Sequence, residues 1–225
     1  MRSNLLTKWA ENKYDRFLFL LFCLVVAIAL PERRFMATSI ILILFLVAML
    51  STIRQIRPGR WWLKYYAAFV FLNMALLGLQ LLRLVDISTW SHGYSVMALL
   101  LFIVILVPIL VFQHEFFSTQ KVTANTLKGG IAIYVLMGVG WAIVYTILLD
   151  FDPASFDGVN PSQIRADLLH FSFVTLITLG YGNILPAGSP TRIASDLEAI
   201  AGVLYPVILI SRLVNNYTAK SEESL

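Results

Sequence analysis

The stretch 170-HFSFVTLITLGYGNILP-186 decides how the rest of the chain is read. Its centre, Thr178-Leu179-Gly180-Tyr181-Gly182, sets two glycines at i and i+2. Glycines so spaced weaken a helix or a strand, but they suit a backbone that must visit positive φ so that successive carbonyl oxygens point the same way. Repeated about a symmetry axis, such a segment stacks rings of oxygens that replace the water shell of a dehydrated cation. The Thr178 hydroxyl adds a ring at the inner end. Hard oxygen donors of this kind suit an alkali ion and not a soft transition metal.

On the amino-terminal side, residues 162–177 are too short and too polar at their start to cross a bilayer. They are expected to form a re-entrant helix beginning at Pro161-Ser162, with its carboxyl end pointing inward. Non-helical backbone is tolerated at membrane depth only where it lines a pore or is buried in protein, a condition that 178–182 meets. On the carboxyl-terminal side, Arg192 to Tyr217 reads as a span. Val203, Pro206, Ile210 and Val214 share one face by spacing and are expected to line an apolar inner cavity. Asp196 and Glu198 sit in its outer half, where an ion pair or hydrogen bond behind the glycine segment, with Arg165 or Arg192 as partner, is the plainer expectation. His170 is either a pH-sensitive group or, as the simpler expectation, a buried structural histidine.

Thr-Leu-Gly-Tyr-Gly resembles the T-x-G-Y-G signature of potassium channels, and HFSFVTLIT resembles that family's pore helix. Four specified residues recur by accident on the order of once per 10⁵ positions. The resemblance implies that carbonyls of Thr178, Leu179, Gly180 and Tyr181, with the Thr178 hydroxyl, coordinate K+, and that Gly182 completes the filter. It further implies that Val174, Thr175 and Asn183 support the filter and that the Tyr181 ring packs outward against the pore helix. Gly202, 20 residues after Gly182, resembles the family's gating hinge. Pro206 is an alternative bend, and simple packing an alternative for both. Two residues depart from the family pattern: Asn183 stands where aspartate is common, and Ile177 where a second threonine is common.

The composition fits a membrane protein. Of 225 residues, 59% are hydrophobic and 13% charged, against about 25% charged in soluble domains. Mean hydropathy is +0.79. The net charge of +4 does not mark a nucleic-acid binder, because the basic residues lie in short loops between apolar runs and not on one patch. The single cysteine, Cys23, excludes an intrachain disulfide and a Cx2C metal site. His114-Glu115 lacks the second histidine of a zinc-protease helix, and no Ser/His/Asp or metal constellation lies within the spans, so an enzyme is not expected. No cofactor is expected; K+ is the transported ion.

Six spans are expected: Phe17–Leu30, Phe35–Ile53, Tyr65–Leu84, Tyr94–Phe112, Leu127–Leu149 and Arg192–Tyr217. The fold expected is therefore an all-α membrane protein with six transmembrane helices, and with the re-entrant pore helix and selectivity filter between the fifth and sixth. Residues 1–120 form a four-helix transmembrane domain without sensor charges, and 121–225 the pore domain, divided at the polar linker 118–125. A cleaved signal peptide competes for the first span through Ala27-Ile28-Ala29, but Pro31 and a second span follow at once. Asn73 and Gln80 are expected to bond to a neighbouring helix, and Gly138 and Ala142 to form a small-residue packing face.

Threading six spans with a cytoplasmic amino terminus puts five of the 17 basic residues outside, Arg33, Arg34, Arg83, Arg165 and Arg192, and the other twelve inside. That positive-inside bias places both termini in the cytoplasm and the filter loop outside. Arg54, Arg57, Arg60 and Lys64, beside Trp61, Trp62, Tyr65 and Tyr66, form an interfacial anchor, or more sharply a site for anionic lipid. The fourth span contains no lysine or arginine, so voltage acting on a charged fourth helix does not gate it. One filter per chain demands a homotetramer. The chain thus resembles small bacterial six-span channels, expected in the inner membrane and passing K+ passively. A weakly selective cation channel, or a signalling subunit with a vestigial pore, are the alternatives.

Overall fold

The computed structural model describes residues 13–28, 35–56, 62–82, 84, 93–118 and 124–222. Four helices come first: α1 (Lys13–Ile28), α2 (Phe35–Ile56), α3 (Trp62–Leu81) and α4 (Gly93–Ser118). The second half follows, with α5 (Ala124–Phe151), β1 (Phe156–Asp157), α6 (Ile164–Leu176), β2 (Leu185–Pro186) and α7 (Ser189–Glu222). Leu, Ile, Val, Phe and Ala fill α2 to α5 nearly all round, the pattern of helices that face apolar surroundings on every side.

Among the described residues, four runs are long and apolar enough to cross a membrane: Leu63–Gln80, Ser95–His114, Thr126–Phe151 and Ser189–Arg212. The apolar stretches of α1 and α2, Phe17–Ile28 and Ser39–Arg54, are shorter. The expectation of six full spans is therefore met for four. With 16 residues at a rise of about 1.5 Å, α1 reaches roughly 24 Å, less than a hydrocarbon core of about 30 Å.

One buried cluster runs from α1 to α5 without a break at the expected division after residue 120. Phe17 of α1 meets Phe45 of α2 at 5.5 Å and Phe112 of α4 edge-on at 5.3 Å between centroids. Ile133 and Leu136 of α5 join the same cluster. Lys128 of α5 and Asp15 of α1 form an ion pair at half-exposed positions. Ser95 at the start of α4 bonds Asp150 near the end of α5 at 2.5 Å. Asn73 is buried, but its amide bonds the Phe69 carbonyl one turn back at 2.9 Å. The expected bond to a neighbouring helix is replaced by one inside α3, because an i−4 carbonyl is within reach of a short amide.

The all-α expectation needs one addition. Phe156↔Pro186 and Asp157↔Leu185 pair as a two-residue antiparallel ladder that joins the chain on either side of α6. A second cluster lies beneath it, where Tyr145, Phe156, Leu168, Phe171 and Ile184 bring together α5, both loops and α6. Edge-on contacts of 5.0 to 5.6 Å among Tyr145, Phe156 and Phe171 give it defined geometry. α6 is thus held between α5 and α7.

Candidate functional site

The segment after α6 has an alternating backbone. Thr178, Gly180 and Gly182 have φ of +57°, +61° and +76°, and Leu179 and Tyr181 between them do not share the positive φ. For Gly180 and Gly182 the reason is conformation and not space, since an added Cβ would meet nothing within 4 Å. Thr178 is the exception, because a β-branched residue at positive φ is strained by about 1–3 kcal/mol. The end of α6 offsets that strain. Thr178 N–H donates to the Thr175 carbonyl at 2.9 Å, and the Val174 carbonyl accepts from Leu179 N–H at 2.8 Å and Gly180 N–H at 3.4 Å. These are carbonyls that a helix terminus leaves unpartnered. Val174 and Thr175 therefore lie directly beneath the 178–182 segment.

Around this segment, the Tyr181 ring stacks on His170 of α6, 6.0 Å between centroids and 11° between planes. His170, expected to be a buried structural histidine, is exposed in the single chain, with the Tyr181 ring over it. Tyr134 Oη lies 3.2 Å from the Leu176 carbonyl and 3.5 Å from that of Gly202. At Gly202, α7 crosses the end of α6 so closely that a Cβ would lie 1.9 Å from the Leu176 carbonyl oxygen. α7 continues as a helix through both Gly202 and Pro206. Gly138 meets α6 in the same way, its missing Cβ leaving room for the Phe173 ring at 2.8 Å.

Glu198 departs from its expected partners. It is 0% exposed, and it is held by Tyr145 Oη at 2.5 Å and Ser172 Oγ at 2.5 Å, not by an arginine. Arg192 instead donates Nε–H to the Pro186 carbonyl at 3.2 Å, and Asp196 is exposed. The geometric reason is that Glu198 faces α5 and α6, whereas Arg192 lies beside β2. Sequence reasoning missed Tyr145, Tyr134 and Ser172. The available signal was the carboxyl itself, which at membrane depth requires partners that hydroxyl side chains of adjacent spans can supply.

Beside the β1–β2 ladder, the Ser155 carbonyl accepts from Ala187 N–H at 2.9 Å, Gly188 N–H at 3.3 Å and Thr191 Oγ1 at 2.9 Å. Gly158, at φ +86°, approaches so near that a Cβ would be 2.2 Å from the Asn183 carbonyl oxygen. Asn183 itself is exposed beside the 178–182 segment, as is Ile177 at the end of α6. Val203, Ile210 and Val214 are exposed along α7, and Pro206 is half-buried. Arg212 lies 4.8 Å above the Phe116 ring of α4, a cation–π contact between the carboxyl-terminal parts of α4 and α7. In the basic loop, Arg54 and Lys64 are exposed, and Arg57 and Arg60 lie outside the described residues.

Comparison with known proteins agrees with this geometry. The family described as "Ion channel" matches residues 133–219, the stretch from α5 to α7. Protein LctB of Geobacillus stearothermophilus is 30% identical over 104 residues, covering 43% of this chain and 76% of the relative. Protein LctB of Bacillus caldotenax is 29% identical over 103 residues, with the same coverage of both chains. Two-pore potassium channel 4 of Arabidopsis thaliana is 29% identical over 93 residues, 41% of this chain and 30% of the plant protein. No solved structure matches. With its apolar helices and its glycine-alternating segment between α6 and β2, the chain is a membrane protein and belongs to the potassium-channel family.

Proposed function

We propose that four copies of this chain assemble around their 178–182 segments into a potassium-selective channel that passes K+ passively down its gradient. The observation that carries this reading is the alternation of positive φ at Thr178, Gly180 and Gly182. Alternation of hand in successive residues turns neighbouring carbonyls to one side, as rings of oxygens around an ion require. Carbonyls of Thr178, Leu179, Gly180 and Tyr181, with the Thr178 hydroxyl, then form the cages. Val203, Ile210 and Val214 line the cavity below. Gly202 or Pro206 supplies the bend on opening.

Assembly is supported by α7. Its span Ser189–Arg212 is only 17% buried within one chain, against 50% for Thr126–Phe151. Ile193, Leu197, Ile200, Leu204 and Val207 are exposed along it. Four chains give that face a pore on one side and neighbours on the other. Positive-inside charge and bacterial relatives support a bacterial plasma-membrane location with both termini cytoplasmic.

The test is K+ flux through purified protein in liposomes, with Gly180→Ala as control. Flux is expected in the wild type and not in the control; flux that survives the substitution refutes the reading. A weakly selective cation pore is favoured by Asn183 and Ile177, and reversal potentials under K+ and Na+ gradients separate the two.

A further inference from the structure

Glu198 is buried in the outer half of α7, and among the described residues no basic side chain pairs with it. Three other groups meet there. Tyr145 Oη is 2.5 Å from Oε2, and Ser172 Oγ is 2.5 Å from Oε1 and 2.7 Å from the Gly138 carbonyl oxygen. Glu198, Ser172 and Tyr145 are each 0% exposed, so water does not complete the set.

The hydrogens can be counted. A carbonyl only accepts, and serine and tyrosine hydroxyls carry one hydrogen each. Tyr145 fills its contact with Oε2. The single hydrogen of Ser172 fills either the contact with Gly138 or that with Oε1, but not both. An ionised carboxylate would leave two oxygens in close contact with nothing between them. A carboxylic acid supplies the missing hydrogen: Oε1–H donates to Ser172, Ser172 donates to Gly138, and Tyr145 donates to Oε2. The neutral form also avoids burying an unpaired charge at membrane depth.

We propose that Glu198 acts as a neutral carboxyl that positions the filter, closing a hydrogen-bonded chain from Tyr145 of α5 through α7 and Ser172 of α6 back to Gly138 of α5. The filter clause rests on the conduction reading above. Ser172 stands two residues before Val174, whose carbonyl holds Leu179 and Gly180. Wherever α6 sits, the filter follows. Gly202 lies four residues after Glu198, on the same face of α7, and packs against Leu176. One helix face therefore grips α6 twice, once by polar contact and once by close packing.

Glutamine reproduces the pattern of a neutral carboxyl, accepting from Tyr145 and donating to Ser172. Infrared spectra of the wild type in lipid at neutral pH are expected to carry a protonated-carboxyl stretch that Glu198→Gln removes. Glu198→Gln should keep the K+/Na+ permeability ratio within about twofold of wild type, and Ser172→Ala or Glu198→Ala should lower it roughly tenfold, the effect of stranding one buried partner. Tyr145→Phe serves where the alanine variants fail to fold, with the same expected loss of selectivity. Absence of the band, a glutamine variant as defective as alanine, or wild-type selectivity in all variants overturns the proposal. A wild type that conducts no cation overturns the conduction reading and the positioning role with it, and the infrared band reports the carboxyl independently.

Discussion

Gly202→Ala is the substitution whose outcome the structure fixes most tightly. The new Cβ would sit 1.9 Å from the Leu176 carbonyl oxygen, 2.8 Å from its carbon and 3.0 Å from its Cα. Ordinary carbon contact begins near 3.4 Å, so α7 and the end of α6 must part by about 1.5 Å. Both partners are backbone, and neither has a rotamer to escape into. Overpacking costs about 1–3 kcal/mol, and the upper end applies here. Displacing the Leu176 carbonyl also weakens its bond from Tyr134, worth about 1 kcal/mol. A total near 4 kcal/mol corresponds to roughly a 1,000-fold shift in the folded equilibrium. For a chain of this size that is roughly 8–16 °C in the thermal midpoint. The assays are thermal unfolding of the detergent-solubilised protein and K+ flux in liposomes. A lower midpoint with lost flux is expected. A pure hinge gives the opposite result, with midpoint and permeability ratio unchanged and only open probability altered. Wild-type midpoint and flux together would refute the packing argument.

Three further outcomes follow from other parts of the molecule. Asn183→Asp adds a carboxylate per chain beside the filter, so single-channel conductance at low salt should rise and the gain should fade as salt screens it. Current–voltage relations should lack steep activation, since each gating charge is worth about 2.3 kcal/mol per 100 mV and α4 carries no lysine or arginine; a sharply sigmoidal conductance curve would contradict this. Gly158→Ala combines positive φ, worth about 1–2 kcal/mol, with a Cβ 2.2 Å from the Asn183 carbonyl, and should lower the midpoint, whereas Gly78→Ala, with open space around it in α3, should be neutral or stabilising by up to about 1 kcal/mol.

Much of the stretch 162–182 was legible because its signals are local. Two glycines at i and i+2 announce positive φ from within five residues, and a short apolar run ending at them announces α6. The positive φ at Thr178 was not legible, since threonine has no preference for that conformation; it arises from the Thr175 and Val174 carbonyls waiting at the helix end. Long-range polar partners were the harder part. Glu198 was flagged as a carboxyl needing company, but arginines were expected and hydroxyls 26 and 53 residues away were found. Charge attracts the eye in a sequence, and burial decides in the fold. The ladder between β1 and β2 escaped notice because two-residue strands leave no periodicity to read.

That ladder has a mechanical consequence. With Ser155 tied to 187, 188 and 191, it ties the chain at the base of the loop that holds α6 and residues 178–182. Closing a loop of this length costs about 3 kcal/mol in chain entropy, and the tie meets that cost at the rim and not at the filter. The outer ends of α5 and α7 are thereby yoked. A pull on either is shared by both before it reaches residues 178–182. Bending is left to the carboxyl-terminal half of α7, where, among the described residues, the contacts to α5 include the bond from Tyr205 to the Gly130 carbonyl, the ring stack of Tyr205 on Tyr134 and Leu209 against Gly130. The fold is a frame that is stiff at one rim and compliant at the other.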